Sequence, residues 1–231
     1  MGRTPGHGEN QLEAFEAAWS QGLAVVECDV RRMADGNWLV VHDPTMDRTH
    51  GLACEVAALD GVAGRAWVAE PPPLLASVLA RTGSGRGLVI EVKPAHGHDA
   101  DACAALAGII RQAPDARELM VISFDADILR NLRPLLPDMP LGFLEDAPGP
   151  DPVGDLSRLD ADAWWPRADA VTPEAVAACR ARDFPVIAWT ARHDGDCQAL
   201  AALGVAAFGS DDPVRHWHML RKTWPAETGN R

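Results

Sequence analysis

Glu27 and Asp29 stand two residues apart at the end of an apolar run, LAVVECDV, and Glu91 and Lys93 repeat that spacing at the end of another, LVIEV. Side chains on a strand alternate faces, so each pair projects from one face. Three carboxylates with no thiolate or paired imidazole beside them suit a hard divalent cation, Mg²⁺ or Ca²⁺. Lys93 beside them can offset their charge or meet a phosphate oxygen as a point charge. His42, followed by Asp43, is a proton-transfer group for neutral pH. Together they describe a metal-assisted site with an imidazole at hand, a pattern suited to phosphoryl chemistry.

Each signal alone has a plainer reading. Glu-x-Asp at a strand end is commonly a solvated or salt-bridged pair, Glu91-x-Lys93 can be simple charge offset, and an isolated His is usually a surface His. His96-x-His98 has the spacing of a metal pair but lies in a glycine-containing loop. Trp164, Trp165 and Trp217 read as packing rather than ligand stacking. The first group gains weight because its members occur in order, at corresponding ends of successive strands.

The elements that must hold them alternate. A helix over 10–20 puts Leu12, Phe15, Ala18 and Trp19 on one face. A buried strand over 23–30 leads into a hairpin arm at 38–41, turned at Asp35-Gly36. Residues 43–72 are polar and proline-punctuated and read as mostly loop. Beyond them come helix 74–81, strand 88–92, helix 101–112, strand 119–124, helix 126–135, strand 141–144 and a weaker strand at 161–165. Helix 173–182, capped by Thr172, follows, then strand 186–189, helix 196–203, strand 205–209 and helix 213–222.

Such alternation predicts parallel βα units. Seven strands alternate with helices, and the helix at 10–20 precedes the first of them. The expectation is a (β/α)8 TIM barrel, α/β in class and one domain over 1–231, whose first strand is missing from this chain and lies before Met1. In such barrels the working residues occupy the C-terminal ends of strands, where Glu27, Asp29, Glu91, Lys93, Ser123 and Trp189 all fall, with Asp211 just after the last.

Bulk properties narrow the partners. With 231 residues, 47% of them hydrophobic, the chain can bury a full core. A formal net charge of −12 opposes nucleic acid or an anionic membrane as main partner, so an anionic small substrate needs local positive charge. Five scattered cysteines without a CxxC pair read as reduced thiols in a cytoplasmic protein, with neither a disulfide framework nor a zinc site. No run approaches membrane-span length, and MGRTPGHGEN has no signal pattern.

The ordered blocks GENQLEAF (Gly8–Phe15), VVECDV (Val25–Val30), DGNWLVVHDPTMDRT (Asp35–Thr49), LVIEVKP (Leu88–Pro94), ISFD (Ile122–Asp125), AWT (Ala188–Thr190) and GSDDP (Gly209–Pro213) resemble those of the glycerophosphodiester phosphodiesterases. The E-x-D, H-D-x-x-x-x-R-T and E-x-K blocks are specific, and the likeness spans residues 8–213. The resemblance implies a barrel enzyme of lipid and glycerol metabolism. It would hydrolyse a small glycerophosphodiester to glycerol 3-phosphate and an alcohol with a divalent cation. Carried over, Glu27, Asp29 and Glu91 are the metal ligands, Lys93 contacts the phosphate and His42 is one of two acid/base histidines. Glu9, in Glu9-Asn10-Gln11, and Trp189 then line the substrate side.

The pattern also departs from the family's. The H-R-G block that ends the family's first strand, with its catalytic His and phosphate-binding Arg, has no counterpart here, His7 being too close to Glu9 to replace it. Arg192 stands where the family usually has Asn, and Ser210 where it usually has Thr. Two other readings follow: a binding module that keeps the cation and Lys93 without turnover, or a lysophospholipase D-like barrel acting on lysophospholipids or sphingolipids.

Overall fold

The computed structural model describes residues 7–61, 70–94 and 100–221. His96 and His98 lie outside the described residues. The described residues form ten strands: β1 (Val25–Arg32), β2 (Trp38–Val40), β3 (Thr45–Met46), β4 (Leu52–Glu55), β5 (Gly87–Val92), β6 (Leu119–Ser123), β7 (Leu141–Glu145), β8 (Ala163–Pro166), β9 (Ile187–Ala191) and β10 (Ala207–Ser210).

The seven alternating strands are β1 and β5 to β10. They lie side by side in chain order, all parallel: β1 and β5 to β8 in one sheet with antiparallel β2 on its edge, then β9 bridged to β8 through Trp164–Val186 and Arg167–Trp189, then β10 on β9. The further strand expected ahead of Met1 is not among the described residues. The sheet curls strongly. The rings of Phe124, just past β6, and Trp189 on β9 meet at 5.3 Å. Two strands separate β6 from β9, and on a flat sheet that would put them about 14 Å apart.

Curling divides the apolar side chains into two layers. Cys28, Val30, Leu88, Ile90, Val92, Val121 and Trp164 point outward into the main core beneath the helices, including Phe15, Leu106, Ile128 and Leu156. Val89, Ile122, Leu144, Ala163 and Trp165 point inward and fill the barrel's axis. Adjacent Trp164 and Trp165 thus belong to different layers, as period-two alternation requires.

Gly142 makes room for the inner layer. A methyl group there would press into the Trp165 indole and come within 2.9 Å of Ile122 Cγ2. Gly142→Ala is expected to destabilise the fold by about 1–3 kcal/mol through overpacking, read as a lower denaturation midpoint; an unchanged midpoint would show that Trp165 can swing aside.

Two segments differ from the sequence expectation. Part of the loop expected over 43–72 is structured: β3 and β4 pair antiparallel around a short helix at Asp47–His50. Met46, Val56 and Leu59 pack there with Met33, Leu39 and Val41 in a small separate core. Short, polar elements carry too little periodicity to be read locally, and this cluster forms only when the β1–β2 hairpin supplies its other half. A helix at Pro152–Leu159 was also not expected among the prolines and glycine of PDPVGDL. Its start is well specified, with Asp151 accepting from the Gly154 N–H and proline in the first turn.

Candidate active site

The site begins with register. Strands β1 and β5 are parallel neighbours with Asp29 directly opposite Glu91, and Glu27 one pleat below on the same inward face. One oxygen from each of Glu27, Asp29 and Glu91 lies within 4.8 Å of the others. Lys93, one pleat above Glu91, reaches back: its Nζ is 2.9 Å from Asp29 Oδ1 and 2.5 Å from Glu91 Oε1. Asp29, Glu91 and Lys93 are all buried.

Burial and mutual charge tune these groups in opposite directions. Burial opposes ionisation of Asp29, while the Lys93 ammonium and the Asn10 amide favour it. Glu91 is raised by burial and by the Asp29 charge beside it. Burial works against the charge on Lys93, yet the two carboxylates outweigh it and raise its pKa. Three carboxylates against one ammonium leave the cluster negative. The donor set is all oxygen and converges on one small space, which fits a hard dication.

Asn10 is a site residue that sequence reasoning passed over. Its Nδ2 donates to Asp29 Oδ2 at 2.8 Å, and its Oδ1 accepts from the Asp29 backbone N–H at 3.1 Å. Asn10 holds φ at 58°, in the left-handed region that asparagine tolerates better than most residues. Its place in the Glu9-Asn10-Gln11 block was the available signal. Asn10→Ala removes one hydrogen bond from the buried Asp29 carboxylate and one from the Asp29 backbone N–H, and strains the backbone. It is expected to cost about 3 kcal/mol, measurable by denaturant unfolding; a loss well under 1 kcal/mol would count against this bracing.

His42 arrives by way of the hairpin. Pairing of β2 with the end of β1 continues through the Val41 N–H donating to Asp29 O at 2.9 Å, so His42 is the first residue beyond a backbone bond to Asp29. Arg31, also missed in sequence, tethers this corner: its Nε donates to His42 O at 2.8 Å and its Nη1 to Pro94 O at 3.1 Å. Glu9 meets the guanidinium of Arg48, which also reaches Asp43, the neighbour of His42. Trp189 stands on β9, its Nε1 donating to Trp165 O at 2.9 Å and its ring edge-on to Phe124. Ser123, named for its strand-end position, is a structural pin: its hydroxyl donates to Val92 O at 2.8 Å and accepts from the Asp125 N–H.

Charged groups gathered at the C-terminal ends of parallel, curled strands, above an apolar axis, define an enzyme of the α/β barrel class. Within that class the chain belongs to the glycerophosphoryl diester phosphodiesterase family, whose model matches residues 2–215. It is 27% identical over 225 residues to a glycerophosphodiester phosphodiesterase of Caldanaerobacter subterraneus subsp. tengcongensis, covering 93% of each. Among solved structures, an Oleispira antarctica phosphodiesterase in complex with the product sn-glycerol-3-phosphate matches with TM-score 0.86 at 22% identity, over 95% of both chains. The Thermotoga maritima glycerophosphodiester phosphodiesterase matches with TM-score 0.78 at 21% identity, over 95% of this chain and 96% of that one. The fold is the TIM barrel of this family.

Proposed function

We propose that this chain, as one barrel domain, hydrolyses small glycerophosphodiesters to glycerol 3-phosphate and an alcohol, with Mg²⁺ or Ca²⁺ held by Glu27, Asp29 and Glu91. The observation that carries this reading is the convergence of those three carboxylates within 4.8 Å, with Lys93 among them. Family membership and the product bound to the Oleispira relative support it.

When bound, the cation would supply Lewis-acid polarisation of the phosphoryl group and a charge to offset the cluster. The residues do the rest. Asn10 fixes the Asp29 carboxylate from the side and Lys93 spans Asp29 and Glu91. With a dication held by Glu27, Asp29 and Glu91, the Lys93 ammonium would be the donor available to a phosphate oxygen. Hydrolysis breaks one P–O bond and adds water across it, so a proton leaves the water and another reaches the departing alkoxide. His42 handles proton transfer on its side of the phosphorus, its ring partly exposed toward solvent. Glu9 and Trp189 border the substrate, Trp189 with Phe124 as the apolar wall at the mouth.

Incubating the purified chain with glycerophosphocholine and a divalent cation is expected to release glycerol 3-phosphate, detected by coupled oxidation. Release of phosphocholine instead, or no product under any cation, would overturn the reading.

A further inference from the structure

Four side chains form a continuous line away from the proposed proton-transfer group. His42 Nδ1 lies 2.8 Å from Asp43 Oδ1. The other oxygen of Asp43 accepts from Arg48 Nε at 2.5 Å. The two terminal nitrogens of Arg48 donate to the two oxygens of Glu9, at 2.5 and 3.1 Å. Glu9 precedes Asn10, which grips Asp29. One dipeptide, residues 9 and 10, therefore holds the carboxylate cluster with one side chain and the far end of the His42 line with the other.

We propose that Asp43, Arg48 and Glu9 are positioning residues for His42, fixing its ring so that Nδ1 carries the hydrogen and Nε2 faces the phosphodiester. The inference rests on the proton-transfer role given to His42 above. An ionised carboxylate only accepts hydrogen bonds, so a ring nitrogen 2.8 Å from Asp43 must carry the hydrogen. Neutral imidazole then has a bare Nε2, the atom able to take or return a proton. Asp43 alone could rotate with His42, since the two are adjacent in the chain. Arg48 prevents this because its planar guanidinium offers donors on two edges, one to Asp43 and one to Glu9. Glu9 in turn is anchored, with a side chain only 10% exposed.

A purely structural salt bridge would behave differently. The Arg48 side chain is 51% exposed, and ion pairs so open to solvent contribute little to folding. Its removal should therefore leave the fold intact while freeing the imidazole. Loss of turnover without loss of stability separates the two roles.

The test combines kinetics with a direct view of the ring. In protein carrying ¹⁵N-labelled histidine, with the His42 signals assigned by their absence in His42→Asn, the ring nitrogen shifts report the tautomer. Wild type is expected to show hydrogen on Nδ1. Arg48→Ala, Glu9→Gln and Asp43→Ala should move the population toward hydrogen on Nε2. Their kcat on glycerophosphocholine should fall about 10–100-fold, with KM within about threefold for Arg48→Ala and Asp43→Ala, as for other residues that orient a reacting group. Arg48→Lys, which keeps the charge but can reach one carboxylate at a time, should lie between. A wild-type tautomer and kcat in Arg48→Ala, alongside an inactive His42→Ala, would overturn the positioning role and leave the function standing. A fully active His42→Ala would instead remove the proton-transfer assignment and this inference with it. Should Asp43→Ala not fold, Arg48→Ala and Glu9→Gln decide the matter by the same two readouts.

Discussion

Dialysis against a chelator is expected to lower glycerophosphodiester hydrolysis by roughly 10³-fold, the equivalent of the several kcal/mol a Lewis acid supplies to a developing phosphoryl charge. Adding back Mg²⁺ or Ca²⁺ should restore it. Glu91→Gln should reproduce the loss without the recovery. Gln keeps the shape of the side chain, but the oxygen beside Asp29 no longer carries charge. Lys93, now facing a single charged partner of its buried pair, competes for that partner more strongly. The same variant supplies a second readout. A cation at a hundred times its Kd stabilises a folded protein by about 2.7 kcal/mol, so wild type should melt higher with the ion and Glu91→Gln should not. Full activity after exhaustive chelation, or undiminished cation stabilisation of Glu91→Gln, would remove the metal from the account.

His42→Ala is the second large effect. Its kcat should fall about 10²- to 10⁴-fold, the usual contribution of a positioned proton donor or acceptor. Cation stabilisation should be retained, because His42 stands outside the carboxylate cluster. Its partly exposed side chain also means that truncation leaves no buried void. This combination, a dead enzyme that still melts higher with the ion, distinguishes loss of proton transfer from loss of the site. An unchanged kcat would place that step on another group.

Some of this was readable from local pattern alone. Runs such as LVIEV and LMVISF are apolar on both faces, which only a parallel strand covered on each side can bury. The seven strands accordingly appear where expected, within about two residues at their ends. The helix at 152–159 was hidden because its prolines and glycine, taken singly, are breakers; their meaning depends on which residue becomes the cap. The segment after His42 was hidden for another reason. Its few apolar residues, Met46, Val56 and Leu59, are too sparse to specify structure without Met33, Leu39 and Val41 from the preceding hairpin.

What the sequence determined by itself is which chemical groups this chain carries and which face each occupies: carboxylates two apart on an inward edge, an imidazole after a hairpin, an ammonium one pleat above a glutamate. Those are consequences of backbone periodicity, a property of a few consecutive residues. Tertiary structure decided the distances. Asp29 meets Glu91 only because β1 and β5 pair in one particular register, and a slip of one residue would turn every side chain of one strand to the other face. Arg48 finds Glu9 across 39 positions of chain, and Asn10 finds Asp29 across 19. Contacts of that kind are set by how the barrel closes its core, because only the packed whole fixes where distant segments come to rest.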